Sequence, residues 1–87
     1  MSMPSDIWPA ITLIKENDIA RAAFDVIKKN LGISGYAIAR QLDKNPAEVQ
    51  DALSSLREKK IIASGSVELR DNFTLTGTGF QLKQYLD

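Results

Sequence analysis

The chain has 87 residues, of which 44% are hydrophobic and 25% charged, and its eleven basic residues balance eleven acidic ones. This length fits one hydrophobic core, and the composition is that of a folded globular domain. Cysteine and histidine are both absent, which excludes disulfides, thiolate zinc sites and catalysis by cysteine or histidine side chains. We therefore expect a binding protein, not an enzyme, with no metal or other cofactor.

The amino-terminal residues differ from a targeting segment. Residues 1–15 contain Asp6 and two prolines, whereas a signal peptide carries basic residues followed by an unbroken apolar run. No stretch is apolar over membrane-spanning length. We expect a cytoplasmic protein without membrane contact. We divide it into an amino-terminal extension (1–15), helical in one interpretation, and a single domain (16–87).

Two helices are predicted in the first half of that domain. Between residues 18 and 31 apolar residues recur at three- and four-residue steps, which predicts an amphipathic helix. Asn17 can cap its start, and Gly32 can close it in a left-handed conformation. A second helix of about two turns starts at Ser34 and stops at Asp43. The apolar face of the first helix comprises Ile19, Ala20, Ala23, Phe24, Ile27 and Leu31.

The next segment predicts a third helix, from residue 46 to residue 59. Residues 45–48 combine a capping asparagine, a proline at the first helical position and a glutamate, Glu48, that can complete a capping box. The opposite, polar face of this helix is free. Its buried stripe, spaced i, i+3, i+4 and i+7, comprises Val49, Ala52, Leu53 and Leu56.

After Lys60 the apolar period changes from helical to two. The alternation predicts strands at residues 61–63, 67–69 and 73–75. Asp71 and Asn72 tolerate positive φ and are expected to form a two-residue hairpin loop. Thr76 can cap a last helix. The chain is therefore predicted to be α+β and mostly helical, with a β-hairpin before its final helix.

This order of elements resembles the winged helix-turn-helix, and three stretches carry the resemblance. Residues 36–42 (YAIARQL) resemble the "eIA..L" of the second helix of that superfamily, and residues 46–56 (PAEVQDALSSL) resemble the "s..tV...L..L" of its third helix. Residues 73–80 (FTLTGTGF) are similar to the "y.LT..G" of small bacterial transcription regulators of the multiple-antibiotic-resistance and phenolic-acid types. The match covers residues 17–86. One departure is Lys60, where the "eaGLi" ending of the family has glycine.

The resemblance implies a duplex DNA-binding transcription regulator. Its third helix would read base edges in the major groove, where Gln50 can pair with adenine. Its hairpin would contact the backbone, and Arg70, beside the expected hairpin tip, is the best candidate there. The residues expected at base edges are Ala47, Gln50, Ser54 and Ser55. The residues expected at phosphates are Ser34, Tyr36, Arg40, Lys44, Arg57, Lys59, Lys60 and Arg70.

An alternative stays open, in which the same fold binds a protein partner as a subunit or adaptor. Between Arg40 and Arg70 six basic residues face five acidic ones, which is a weak electrostatic footprint for nucleic acid. Glu48 and Asp51 lie early on the third helix, where phosphates and acceptor-rich base edges repel carboxylates. A scattered, solvated surface would explain the same charges.

The apolar amino-terminal segment also allows two interpretations. It can pack on its own domain, or it can form a homodimer interface together with the last helix, since small domains often gain burial by association. A dimer would present two recognition helices to two half-sites. The residues expected at that interface are Ile7, Trp8, Ile11, Ile14, Phe80, Tyr85 and Leu86.

Overall fold

The computed structural model describes residues 7–86, and the side chains of residues 8–85. Within them the elements follow the order expected for a winged helix, a mostly helical α+β fold with a small antiparallel sheet. They are α1 (Ile7–Glu16), α2 (Asp18–Lys29), β1 (Ile33–Ser34), α3 (Gly35–Leu42), α4 (Pro46–Glu58), β2 (Ile62–Ala63), β3 (Asn72–Leu75) and α5 (Gly77–Leu86).

The predicted apolar stripe of α4 is confirmed. Val49, Ala52, Leu53 and Leu56 are each at most 3% exposed, and they pack chiefly against α2. The periodicity of α2 fails at one position, because Leu31 is 53% exposed. The helix already ends at Lys29, and the chain then turns through Gly32, whose φ is +86°. The turn carries Leu31 off the apolar face.

All four predicted helix caps form. The amide of Ala20 donates to Asn17 Oδ1 over 3.0 Å, and the amide of Ala37 donates to Ser34 Oγ over 3.2 Å. Asn45 Oδ1 accepts from the amide of residue 47 over 2.8 Å. Thr76 Oγ1 accepts from the amide of residue 79 over 3.1 Å. Each of these side chains satisfies an amide that has no partner within its own helix, so the local sequence specifies where four helices begin.

The sheet differs from the expected hairpin. Its strand order is β1-β3-β2, all antiparallel, with Ile33 opposite Phe73 and Ile62 opposite Leu75. The predicted strand at residues 67–69 is wrong, and so is the hairpin loop at Asp71 and Asn72, because Asn72 already belongs to β3. The connection between β2 and β3 is residues 64–71, called the wing loop below.

The wing loop folds back onto the start of α3. The amide of Tyr36 donates to the carbonyl of Leu69 over 3.1 Å, and the amide of Gly35 donates to the carbonyl of Asp71 over 3.2 Å. A Cβ on Gly35 would lie 2.7 Å from Leu69 Cα, so only glycine permits this approach. The carbonyl of Leu69, which a strand at residues 67–69 could have used in pairing, thus accepts from α3 instead.

The turn that ends α4 contains Lys60, which takes the left-handed conformation with φ of 61°. The amide of Ile61 donates to the carbonyl of Leu56 over 3.0 Å, and the amide of Lys60 donates to the carbonyl of Arg57 over 2.9 Å. This pair of bonds closes helices that end in a left-handed residue, usually glycine. The departure from the family pattern therefore changes the residue and keeps the geometry.

The family-like "LT..G" of residues 75–79 joins this turn to α5. The hydroxyl of Thr76 donates to the carbonyl oxygens of Lys60 and Ile61, the latter over 3.1 Å. A Cβ on Gly79 would lie 2.2 Å from the carbonyl oxygen of Ile61. The motif thus holds the residues that follow α4 against the start of α5.

The described part of the predicted extension is helical and belongs to α1 (Ile7–Glu16). Ala10 and Ile14 are fully buried and Ile11 is 6% exposed, all within the same core as the rest of the chain. α1 packs on α2, α4 and α5. The segment therefore contributes to the core of its own chain.

Candidate nucleic-acid interface

The face of α4 opposite its buried stripe is open to solvent. Side chains at i, i+4, i+7 and i+11 of a helix lie along one face, and those of α4 at these spacings are all exposed. We call them the outer ridge of α4. They are Ala47, Asp51, Ser54 and Glu58. Of the four residues predicted to face base edges, the ridge includes Ala47 and Ser54.

The other two predicted base-reading residues lie on the flanks of α4. Gln50 is half-buried and lines an open depression between α4 and the wing loop. Ser55, also half-buried, falls on the opposite flank by the helical spacing. The remaining residues that line the depression are Tyr36, Glu68, Leu69 and Arg70.

A second depression lies where α3 meets the start of α4. It brings together Tyr36, Arg40 and Lys44, three of the residues predicted to contact phosphates, and it also includes Asp43. Tyr36 lines both depressions and is 56% exposed. Tyr36, a large aromatic side chain with a polar tip, therefore connects the depression that contains Gln50 with the one that contains Arg40 and Lys44.

The start of α3 offers less to an anion than its sequence predicts. The hydroxyl of Ser34 accepts from the amide of Ala37, and the first helical amides donate to the wing loop. A phosphate gains most at a helix start when the amides there are free. Ser34 therefore acts as a cap in this structure, and the phosphate-binding potential of this end rests on side chains.

The wing loop is compact, and its arginine has a partner. Arg70 Nε lies 2.5 Å from Glu68 Oε2, and both side chains are largely exposed. The hydroxyl of Ser66 donates to Asp71 and accepts from the amide of Glu68 over 3.1 Å. The expected hairpin tip beside Arg70 does not form at Asp71 and Asn72. Arg70 lies instead within a turn, in which the amide of Asp71 donates to the carbonyl of Glu68 over 3.0 Å. Glu68 is the missed partner, and its i, i+2 spacing from Arg70 is the signal that could have revealed it.

The remaining predicted cations lie toward the end of α4. Arg57 donates to the carbonyl of Ser64 in the wing loop over 3.5 Å. Lys59 and Lys60 are exposed and line a shallow depression with Glu58 and Pro9 of α1. The structure therefore separates these two lysines from Arg40 and Lys44 by the length of the helix and does not join the cations into one cluster.

The residues predicted for a dimer interface divide into two groups. Trp8, Phe80 and Tyr85 are 58%, 44% and 57% exposed, and they lie on α1 and α5, which pack against each other. Ile11 and Ile14 lie in the core of the same chain, so intramolecular packing removes them from the expected interface. The side chains of Ile7 and Leu86 lie outside the described residues.

Two other kinds of site were searched over the described part of the chain. Residues 7–86 hold no group of three or more acidic side chains placed to bind a metal ion. None of the helices α1 to α5 is long and apolar enough to cross a membrane.

A helical core from which α4 turns an open face outward, next to a three-stranded sheet and a wing loop, defines the winged-helix fold. A point mutant of MepR, a winged-helix regulator of the multiple-antibiotic-resistance family from a multidrug-resistant clinical isolate of S. aureus, has this fold. Its crystal structure matches with a TM-score of 0.63 and 23% sequence identity, over 80% of this chain and 53% of MepR. The chain thus spans about half the length of MepR. No protein-family model and no curated protein sequence matches it.

Proposed function

We propose that this chain binds duplex DNA as a transcription regulator, with α4 in the major groove. The observation that carries the proposal is the outer ridge of α4, which nothing in the described chain covers, within a winged-helix core. A helix fits the major groove, where each base pair presents a distinct set of donors and acceptors. The similarity to MepR supports the fold on which this arrangement depends.

The surroundings of α4 suggest which residues contact phosphates and which contact bases. With 13 residues, α4 is about 20 Å long, and the major groove is about 12 Å wide. Arg40 and Lys44 near its start, and Lys59 and Lys60 after its end, can therefore reach phosphates on opposite sides of the groove. Base contacts then come from Ala47 and Ser54 on the ridge and from Gln50 on its flank.

A homodimer completes the proposal. Trp8 and Phe80 expose large apolar surfaces on neighbouring helices, and exposed aromatic side chains are enriched at interfaces. Two copies related by a two-fold axis would present two α4 helices to half-sites about 34 Å apart. Sedimentation of the wild type and of Trp8→Ala tests this: we expect a dimer that the substitution weakens. A monomeric wild type at tens of micromolar would contradict it.

We also propose that this protein is located in the cytoplasm.

DNA binding is tested by fluorescence anisotropy with duplexes selected from a random pool, at several salt concentrations. We expect affinity to fall steeply as salt rises, and Lys44→Ala to weaken binding to all duplexes alike while reducing the salt slope by about 1. Lys15→Ala is the matched control, because Lys15 is exposed on α1 and outside both depressions. A wild type that shifts no duplex at low salt would refute the proposal.

A second candidate function is binding of a protein partner, and a specific observation favours it. The outer ridge carries Asp51 and Glu58, and Arg70 is already paired with Glu68. Such a surface suits a partner with a basic face. If this function is right, the protein and its partner form a complex that resists nuclease and that Asp51→Lys disrupts. The protein then shows no salt-sensitive binding to any duplex.

A further inference from the structure

We infer that Asp51 is a specificity-determining residue, whose carboxylate accepts a hydrogen bond from the exocyclic amino group of a cytosine in the major groove. The inference rests on the proposed DNA binding. It assigns a positive role to Asp51, one of the two carboxylates early on α4 that weaken the electrostatic case for DNA.

Asp51 stands at the centre of the outer ridge, between two small side chains. Ala47 lies one turn before it and Ser54 about one turn after it, and all three are exposed. Small neighbours let a helix lie deep in a groove. A side chain as short as aspartate can then reach a base edge, which bulkier flanking residues would prevent.

The carboxylate has no other task within the described residues. The side chain of Asp51 forms no salt bridge or hydrogen bond there, and Arg57 of the same helix donates to the wing loop. α4 begins at Pro46, so Asp51 lies in the second turn, beyond the positions where a carboxylate caps a helix or gains much from its dipole. Neither capping nor ion pairing accounts for an acid at this position.

Base chemistry then selects one partner. A carboxylate only accepts hydrogen bonds, and cytosine presents an amino donor in the major groove. Guanine and thymine present acceptor oxygens. Adenine presents an amino donor beside the acceptor N7, which repels a second carboxylate oxygen. Aspartate therefore favours cytosine over the other three bases.

The ridge also predicts a neighbouring preference. Ala47 precedes Asp51 by four residues, about 6 Å along the helix axis, which corresponds to roughly two base-pair steps at about 3.4 Å each. An alanine methyl group suits the methyl group of thymine. The expected half-site therefore has a thymine about two steps from the cytosine.

The competing explanation is that Asp51 only repels phosphates and lowers affinity for every duplex alike. Two variants separate these explanations. Asp51→Asn removes the charge and replaces a pure acceptor with an amide that pairs with adenine. Glu58→Gln removes a charge from the same ridge at the last residue of α4, and both residues are exposed, so neither change should affect folding.

The experiment selects duplexes from a random pool with each protein and then measures affinities for the four bases at the selected position. We expect the wild type to prefer cytosine there by roughly 10-fold or more, and Asp51→Asn to prefer adenine with the other positions unchanged. Glu58→Gln should raise all affinities equally and keep the cytosine.

Three results would overturn the inference, and they are distinguishable. If Asp51→Asn strengthens all duplexes uniformly, as Glu58→Gln does, the carboxylate only repels. If the wild type selects a site without a cytosine preference, DNA binding stands and the role of Asp51 falls. If the wild type binds no duplex at low salt, the proposed function falls as well.

Discussion

Replacing Lys60 with glycine should stabilise the protein. Lys60 has a left-handed backbone with φ of 61°, a conformation that costs an L-residue about 1–2 kcal/mol. Its side chain is exposed, so little packing is lost. The amide of Lys60 donates to the carbonyl of Arg57, and its carbonyl accepts from the hydroxyl of Thr76. Both hydrogen bonds use the backbone of Lys60, so they survive the substitution.

The expected gain is smaller than the strain, because glycine loses about 0.5–1 kcal/mol more conformational freedom on folding. The difference leaves about 0.5–1 kcal/mol of added stability, which raises Tm by roughly 2–8 °C for a domain of this size. Thermal and urea unfolding followed by circular dichroism measure both quantities.

Two controls make the test sharp. Lys59→Gly changes the same residue type one position earlier, where φ is −82°, so glycine should destabilise by about 0.5–1 kcal/mol. Lys60→Ala removes the charge and keeps the strained backbone, so it should leave stability nearly unchanged. If Lys60→Gly destabilises the protein as much as Lys59→Gly, the strain argument is wrong.

The remaining predictions concern the core and the junction between α4 and α5. Gly79→Ala should lower the free energy of unfolding by more than about 2 kcal/mol, because a Cβ would meet the carbonyl oxygen of Ile61 at 2.2 Å. Gly77→Ala is the control and should not destabilise the protein, because a Cβ there meets nothing within 4 Å. Equal Tm values for the two variants would contradict the contact. Thr76→Val removes the hydroxyl that bridges this junction and should lower the unfolding free energy by about 1–2 kcal/mol in urea titrations, whereas an unchanged midpoint would show that the hydroxyl contributes nothing. Leu53→Ala, at a fully buried position, should cost about 2–5 kcal/mol, and a loss below 1 kcal/mol would contradict the burial.

The parts of the fold that the sequence predicts are those that local interactions determine. Capping is a contact over two or three residues, so Asn17, Ser34, Asn45 and Thr76 mark helix starts without knowledge of the rest of the chain. The stripe of α4 repeats with the helical period for the same reason. Both kinds of signal survive in the structure.

The sheet could not be predicted in this way, because its short strands exist only through distant partners. β1 has two residues and pairs Ile33 with Phe73, and two residues carry no period. At residues 67–69 an alternating pattern arises for another reason: Leu69 is buried against Gly35, outside any strand. Burial of Leu69 by a segment far away in sequence thus produces the same alternating pattern as a strand.

The candidate site also has features that local spacing predicts and features that depend on tertiary packing. Helical spacing predicts that Ala47 and Ser54 face outward, and the structure agrees. The same spacing does not reveal that Gln50 faces the wing loop, that Glu68 pairs with Arg70, or that Ile11 and Ile14 belong to the core. Each of these depends on which segment packs alongside, which the fold decides.

The balance of charge determines what kind of DNA complex this surface can make. Non-specific affinity comes almost entirely from phosphate contacts. The net charge is zero, and each group of cations near α4 lies beside a carboxylate: Asp43 lines the depression of Arg40 and Lys44, and Glu58 lines that of Lys59 and Lys60. Arg70 is paired with Glu68. In the proposed complex most of the affinity must then come from base edges and from coupling two half-sites in a dimer. For that complex we expect weak binding to random DNA and strong discrimination between sequences. Asp51 would contribute to both effects, because its carboxylate repels phosphates at every site and only a base that donates to it compensates for this repulsion.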